Sequence, residues 1–181
     1  MSALRDIHKQ FRQRSVKKVY ECVVHGKWPE NLKVIENELE VRKTSQSERK
    51  VKKSEAGKKS KTKFTIDKKY EDFTRLIAIP HTGRTHQIRA HFKYIGHPLF
   101  NDDIYGGNKV LRGTTFSKYK QFVQNCFKIM PRHALHAKSL GFHHPKNDEW
   151  IQFDSDLPSD LSTVLDRWRN YTEQRIQKVG E

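Results

Sequence analysis

The chain has 181 residues, room for one domain with a core of its own. Its 36 Lys+Arg against 21 Asp+Glu give a formal net charge of +15, which suits a polyanionic partner, nucleic acid first, with general surface basicity as the plain alternative. No stretch approaches the ~20 apolar residues of a membrane helix, the N-terminal MSALRDIHKQF has no apolar signal core, and Cys22 and Cys126 lie too far apart for a zinc ribbon or a disulfide framework. Each cysteine sits in an apolar run and reads as a small buried hydrophobe. A soluble, reducing, cytoplasmic setting is expected, and 10 Phe and 6 Tyr offer planar groups on which bases can stack.

Ser2 can cap a first helix in which Leu4, Ile7 and Phe11 share a face. Lys17 to Gly26, rich in β-formers, reads as a strand ended by Gly26, and Trp28-Pro29 opens a loop. Asn31 to Arg42 reads as a strand with a turn at Glu36-Asn37. Residues 45–63 form a low-complexity segment with eight basic residues against Glu48 and Glu55. With almost nothing to bury, it predicts a solvated hairpin or mobile loop, either a phosphate-contacting arm or a plain charge run.

Thr62 to Tyr70 and Phe73 to Ile79 read as an antiparallel strand pair joined at Glu71-Asp72 and ended by Pro80. Thr85 to Tyr94 predicts a short helix carrying Ile88 and Phe92 at i, i+4, closed by Ile95-Gly96 and Pro98. Asn101 to Gly107 is a turn region. Thr115 to Lys128 repeats aromatic and apolar residues at helical spacing. Ala134 to His143 and Glu149 to Phe153 form a second strand pair around His144-Pro145-Lys146-Asn147. Pro158 opens a last helix with Leu161, Val164, Leu165 and Trp168 facing the core. Helices mixed with hairpin-linked strands give an α+β class with a largely antiparallel sheet.

The segment from His81 to Gly107 concentrates the chemistry, with two arginines, four histidines and four glycines around a short cationic helix. Its Gly83-Arg84-Thr85-His86-Gln87-Ile88-Arg89 follows a strand and opens that helix. Free N–H groups at a helix start can hold a phosphate, with Arg84 and His86 adding charge-assisted contacts. Arg89 lies one turn further in, near apolar residues, and needs an anionic partner. An ordinary carboxylate at the core edge would satisfy that need. His86, His91 and His97 are five and six residues apart and share no helical face, and His133 and His136 point opposite ways on a strand. Metal binding, and with it a metal-dependent hydrolase, is therefore disfavoured. No phosphate-loop or dinucleotide fingerprint and no nucleophile elbow occurs, so no cofactor is expected.

In chain order, SALRDIHKQF, Lys18-x-Tyr20 with Val24-x-Gly26, Gly57-Lys58, HTGRTHQIRAH, GHPLFNDDIYGG, RHALHAKSLGFHHP and the Leu157-Pro158 helix together resemble the RluA/RluC/RluD family of pseudouridine synthases, with a lean to the ribosomal large-subunit synthase D-like members. The resemblance implies the pseudouridine synthase fold and isomerisation of uridine in RNA, most simply 23S ribosomal RNA, without cofactor or metal, by a bacterial enzyme that is monomeric when intact. It implies that Tyr20 stacks on the target base and helps remove the C5 proton. It makes Arg89 the partner of the catalytic aspartate and Leu135 part of the uracil pocket. Arg84, His86, Lys58 and Lys59 become RNA-binding residues.

The family's aspartate belongs to an HRLDxxTSG segment, and no HRLD occurs here. Residues 1–181 are accordingly expected to be a C-terminal portion of the catalytic domain, incomplete on its N-terminal side. Taken alone they should bind RNA without converting it, as a non-catalytic RNA-binding module of the same family also would. Asp102 and Asp103 match a loop that the resemblance marks as structural. Lys59-Ser60 stand where relatives usually carry Pro-Ala, which makes the hairpin more cationic.

Overall fold

The computed structural model describes residues 2–43, 49–114 and 116–179. Along the chain come α1 (Ala3–Gln13), β1 (Lys17–His25), β2 (Val34–Lys43), β3 (Arg49–Lys53), β4 (Lys58–Lys69), β5 (Phe73–Pro80), α2 (Gln87–Tyr94), α3 (Ser117–Ile129), β6 (Leu135–His143), β7 (Trp150–Asp154) and α4 (Ser159–Val179). The strands form one sheet in the order β3-β2-β4-β5-β1-β6-β7, with every pairing antiparallel. The expected α+β class is what the chain adopts. Thr115 and Ser45 to Glu48 fall outside the described residues.

β1 sits between β5 and β6, so its alternating side chains serve both faces of the sheet. Cys22 and Val24 join Trp28, Phe64, Leu76, Ala78, Ile88 and Phe92 in a core beneath α2. Val23 points the other way, into a core with Phe73, Phe100 and the inner residues of α3 and α4. Trp168 is fully buried there, its ring 4.1 Å from that of Phe73 and edge-on to Phe122. Burying a side chain of this size stabilises by roughly 2–3 kcal/mol. Both cysteines are buried, as read from their neighbours, and burial pushes the Cys126 thiol up to about 11.

Two sequence expectations need correction. β2 runs unbroken through Glu36-Asn37, because β4 pairs with it from Val34 to Leu39 and Ile35 and Leu39 point inward. The basic segment also builds sheet: β3 and the first half of β4 lie within it. Val51, Ser60 and Thr62 are buried, so the segment has inward residues after all. A Cβ on Gly57 would sit 2.7 Å from the backbone of Leu39, so the turn between β3 and β4 closes against β2 only with glycine there.

α1 forms as expected, although the Ser2 side chain makes no capping bond. Leu4 and Phe11 remain exposed, and the residue that docks the helix is polar. Gln10 donates to the His143 carbonyl at 2.7 Å and accepts from the His143 N–H at 2.9 Å, tying α1 to the end of β6. Among the described residues no helix is long and apolar enough to cross a membrane.

Candidate active site

The register of β1 decides where Tyr20 lies. Lys18, Tyr20, Cys22 and Val24 alternate along one strand, so Lys18 and Tyr20 extend the row that begins in the core beneath α2. Tyr20 pairs across the sheet with Ala78 on one side and Ala137 on the other. Small neighbours leave its half-buried ring open to a cleft of about 380 Å3. Burial raises the phenol pKa, which keeps the hydroxyl protonated near neutrality.

The cleft gathers five of the sequence-predicted site residues: Tyr20 from β1, Arg84 and His86 from the turn before α2, Arg89 from α2 and Leu135 from β6. Lys58 and Lys59 lie outside it. Lys58 shares a neighbouring groove with Arg84, while Lys59 lines another with Lys61 and Thr82. The Lys59 carbonyl accepts from Arg84 Nε at 3.2 Å, so this lysine holds Arg84 through its backbone.

Arg89 is buried, and its partner is inside the chain. Nε and Nη2 each donate to a carboxylate oxygen of Asp102 at 2.8 Å, a two-pronged bond to a side chain with no solvent exposure. Of the partners the sequence allows for Arg89, the structure shows the ordinary carboxylate at the core edge, supplied by the loop marked as structural. Asp102 also accepts from the Tyr105 N–H at 3.0 Å. Its loop closes tightly: a Cβ on Gly107 would fall 1.8 Å from the Leu99 carbonyl oxygen. Burial lowers the Arg89 pKa, but the bonds to Asp102 outweigh it and the net shift is upward. Nη1 lies 3.5 Å from His86 Nε2. Burial, then Arg89, pulls the His86 pKa down, so a neutral ring can accept there while Nδ1 contacts the Tyr105 hydroxyl at 3.2 Å.

The phosphate-binding helix start also needs correction. α2 begins at Gln87, and His86 before it is left-handed at φ 49°. The buried Gln87 amide oxygen accepts from the Arg84 N–H and the Thr82 hydroxyl, while its NH2 donates to the Lys61 carbonyl and Thr62. Gln87 therefore pins the turn to β4 and takes up the Arg84 N–H, which is not free for a phosphate.

Sequence reasoning placed none of Lys18, Thr82, Gln87, Ile88 and His133 among the site residues, yet all of them line the cleft. Same-face spacing with Tyr20 was the available signal for Lys18. His133 enters the cleft, where burial, then Arg89, lowers its pKa. His136, on β6, points elsewhere, toward the Ser155 carbonyl, while His133 precedes the strand. Among the described residues no carboxylate lines the cleft, and no cluster of three or more His, Cys, Asp or Glu could hold a metal. The arrangement can bind a planar group against Tyr20 and Leu135, orient an anion with fixed cations, and hold a proton at the phenol.

The family model described as RNA pseudouridylate synthase matches residues 2–94, just over half of the chain. The chain belongs to the RNA pseudouridylate synthase family. It is 40% identical over 169 residues to the ribosomal large subunit pseudouridine synthase C of Haemophilus influenzae, covering 93% of this chain and 49% of that protein. Its identity to the Escherichia coli synthase C is 34% over 169 residues, covering 93% and 50%. The chain thus spans about half the length of the curated relatives it matches, and these carry the synthase C name where the motifs leaned to D-like members. The structure of human RNA pseudouridylate synthase domain containing 4 superposes with a TM-score of 0.65 at 19% identity, over 91% of this chain and 67% of that one, a likeness of fold.

Proposed function

We propose that residues 1–181 are a C-terminal portion of the catalytic domain of a cytoplasmic enzyme, monomeric when intact, that isomerises uridine to pseudouridine in ribosomal RNA. The catalytic aspartate then comes from polypeptide outside these residues. The convergence of Tyr20, Arg89 and Leu135 from three separate elements on one acid-free cationic cleft carries this reading. Tyr20 and Leu135 sandwich the flipped uracil. Arg89, fixed by Asp102 through Nε and Nη2, has the second N–H of Nη1, beyond the one facing His86, to orient the incoming carboxylate. Arg84, His86, Lys58 and Lys59 hold the RNA backbone. A phenol kept protonated serves first as a stacking surface, and its part in removing the C5 proton requires transient loss of its own.

The test measures pseudouridine in a ribosomal RNA transcript. The 181-residue chain alone should bind the transcript with steep salt dependence and form no product. Placed behind the N-terminal half of the Haemophilus influenzae relative, it should convert uridine. In that enzyme Tyr20→Phe and Arg89→Lys should each lower turnover by roughly 100-fold or more while RNA affinity changes little. Lys58→Ala and Lys59→Ala should instead weaken binding and flatten its salt dependence by about 0.7–0.9 for each phosphate no longer neutralised. Product formed by the chain alone would refute the external nucleophile, and equal losses from all four variants would remove the special role of Arg89.

A further inference from the structure

A second groove, of about 390 Å3, adjoins the cleft and shares Lys18, Thr82, Gly83 and Arg84 with it. Arg12 and Arg14, from the end of α1 and the turn after it, complete a ring of four cations, and Phe11 supplies an aromatic wall. Among the described residues no acidic side chain lines this groove. Among the described residues none of Arg12, Arg14, Lys18 and Arg84 is ion-paired. The plain account of Arg12 and Arg14 is attraction to the carbonyl end of α1. It does not cover Lys18 and Arg84, which arrive from β1 and from the turn before α2. Like charges gathered around one cavity focus its field on an anion.

Two further observations indicate what kind of anion. Phe11 is 47% exposed, and the Lys18 ammonium lies 6.0 Å from its ring centre, so the ring faces the cationic groove. Arg14 adopts the left-handed conformation at φ 61°, a place glycine fills with least strain, yet it carries a long cation. Phosphate-binding side chains beside an exposed aromatic ring are the elements of single-stranded nucleic-acid recognition.

We propose that this groove is a subsite for the nucleotide next to the target uridine, with Arg12, Arg14, Lys18 and Arg84 on the linking phosphodiester and the neighbouring base stacked on Phe11. The proposal rests on the functional reading above and deepens it, because Lys18 and Arg84 then stand at the junction between the flipped base and the strand it leaves.

The test uses fluorescence anisotropy of the 181-residue chain with five-nucleotide RNAs over a range of salt concentrations. Phe11, Arg12 and Arg14 are exposed, so their variants should melt with the parent chain. The double variant Arg12→Gln/Arg14→Gln should bind about 10-fold more weakly, with a salt slope shallower by ~0.7 for each phosphate left without its cation. Phe11→Leu should keep the slope and weaken binding about 5-fold or more. In a series with one abasic site moved along the RNA, that loss should vanish at a single position. Parent-like affinity and slope in the double variant would overturn the subsite, as would a Phe11→Leu loss indifferent to every abasic position. Equal losses toward inorganic polyphosphate, with Phe11→Leu inert, would make the groove a general polyanion surface and also overturn it. A parent chain that binds no RNA would sink the functional reading itself, a result distinguishable from the others.

Discussion

Asp102→Asn should destabilise the protein by about 3–5 kcal/mol, because it removes the buried counter-charge of Arg89 and leaves only the exposed Asp103 carboxylate, 3.8 Å away. Asp102 is fully buried and Arg89 is 7% exposed, so water cannot take over the missing bonds. Asparagine keeps an oxygen for the Tyr105 N–H, so the change isolates the ion pair from the loop bond. Arg89→Met should cost a similar amount, since it strands the carboxylate. The double variant Arg89→Met/Asp102→Asn should recover much of the loss, because no unpaired charge remains inside. Urea unfolding of the four proteins measures the cycle. Additive losses, or a cost below about 1 kcal/mol for Asp102→Asn, would mean that the pair is not desolvated as described. The single variants should also disturb the cleft, since Asp102 holds the guanidinium in position beside His86.

That pair shows where sequence reasoning stops. The need for an anion at Arg89 is legible from its place among apolar residues, but the identity of the anion is not. Asp102 lies 13 residues on, and only the folding of the 101–107 loop against α2 brings it back. Strands β1 and β5 and helix α4 are legible because their inward residues are apolar and recur at strand or helix period. The start of β4 fails that test for a physical reason. Its inward residues are Ser60 and Thr62, which hydrogen bonds to Asn37, His91 and Gln87 make tolerable in the interior. Alternation is still there, with Lys59, Lys61 and Lys63 on the outer face, but polarity hides it. Likewise motifs point to Tyr20 and Leu135 separately. Their meeting depends on the β1–β6 register, in which Cys22 faces Leu135 and Tyr20 faces Ala137, and no periodicity within one segment encodes that.

Acidification should unfold the protein in two stages, the first driven by His25 and His91. Both rings have no solvent exposure. His25 Nε2 donates to the Gly107 carbonyl at 2.7 Å, and His91 Nε2 meets the Ser60 hydroxyl at 2.9 Å. In each ring the buried Nδ1 has no partner among the described residues, so a second proton would sit there unpaired. Burial pulls both pKa values from 6.5 to about 4. The folded pKa lies below the unfolded one, so the stability from keeping these rings neutral is complete above pH 6.5 and drains away as pH falls toward 4. Together the two rings should cost about 3–4 kcal/mol between pH 7 and pH 5. The carboxylates act later. Burial alone would raise the Glu21 pKa, but its bonds from Lys138 and Arg75 hold it below the usual range, and the bond from Arg132 does the same for Asp160. Their contribution is therefore intact through the histidine stage and disappears below about pH 4. Urea unfolding at pH 7, 6 and 5 reads the first stage. His25→Gln and His91→Gln each keep a side-chain N–H for the carbonyl or hydroxyl, and each should remove a similar, large share of the pH dependence, with a smaller remainder from His86 and His133. A flat profile between pH 7 and pH 5, or a slope that survives both substitutions undiminished, would place the acid sensitivity elsewhere.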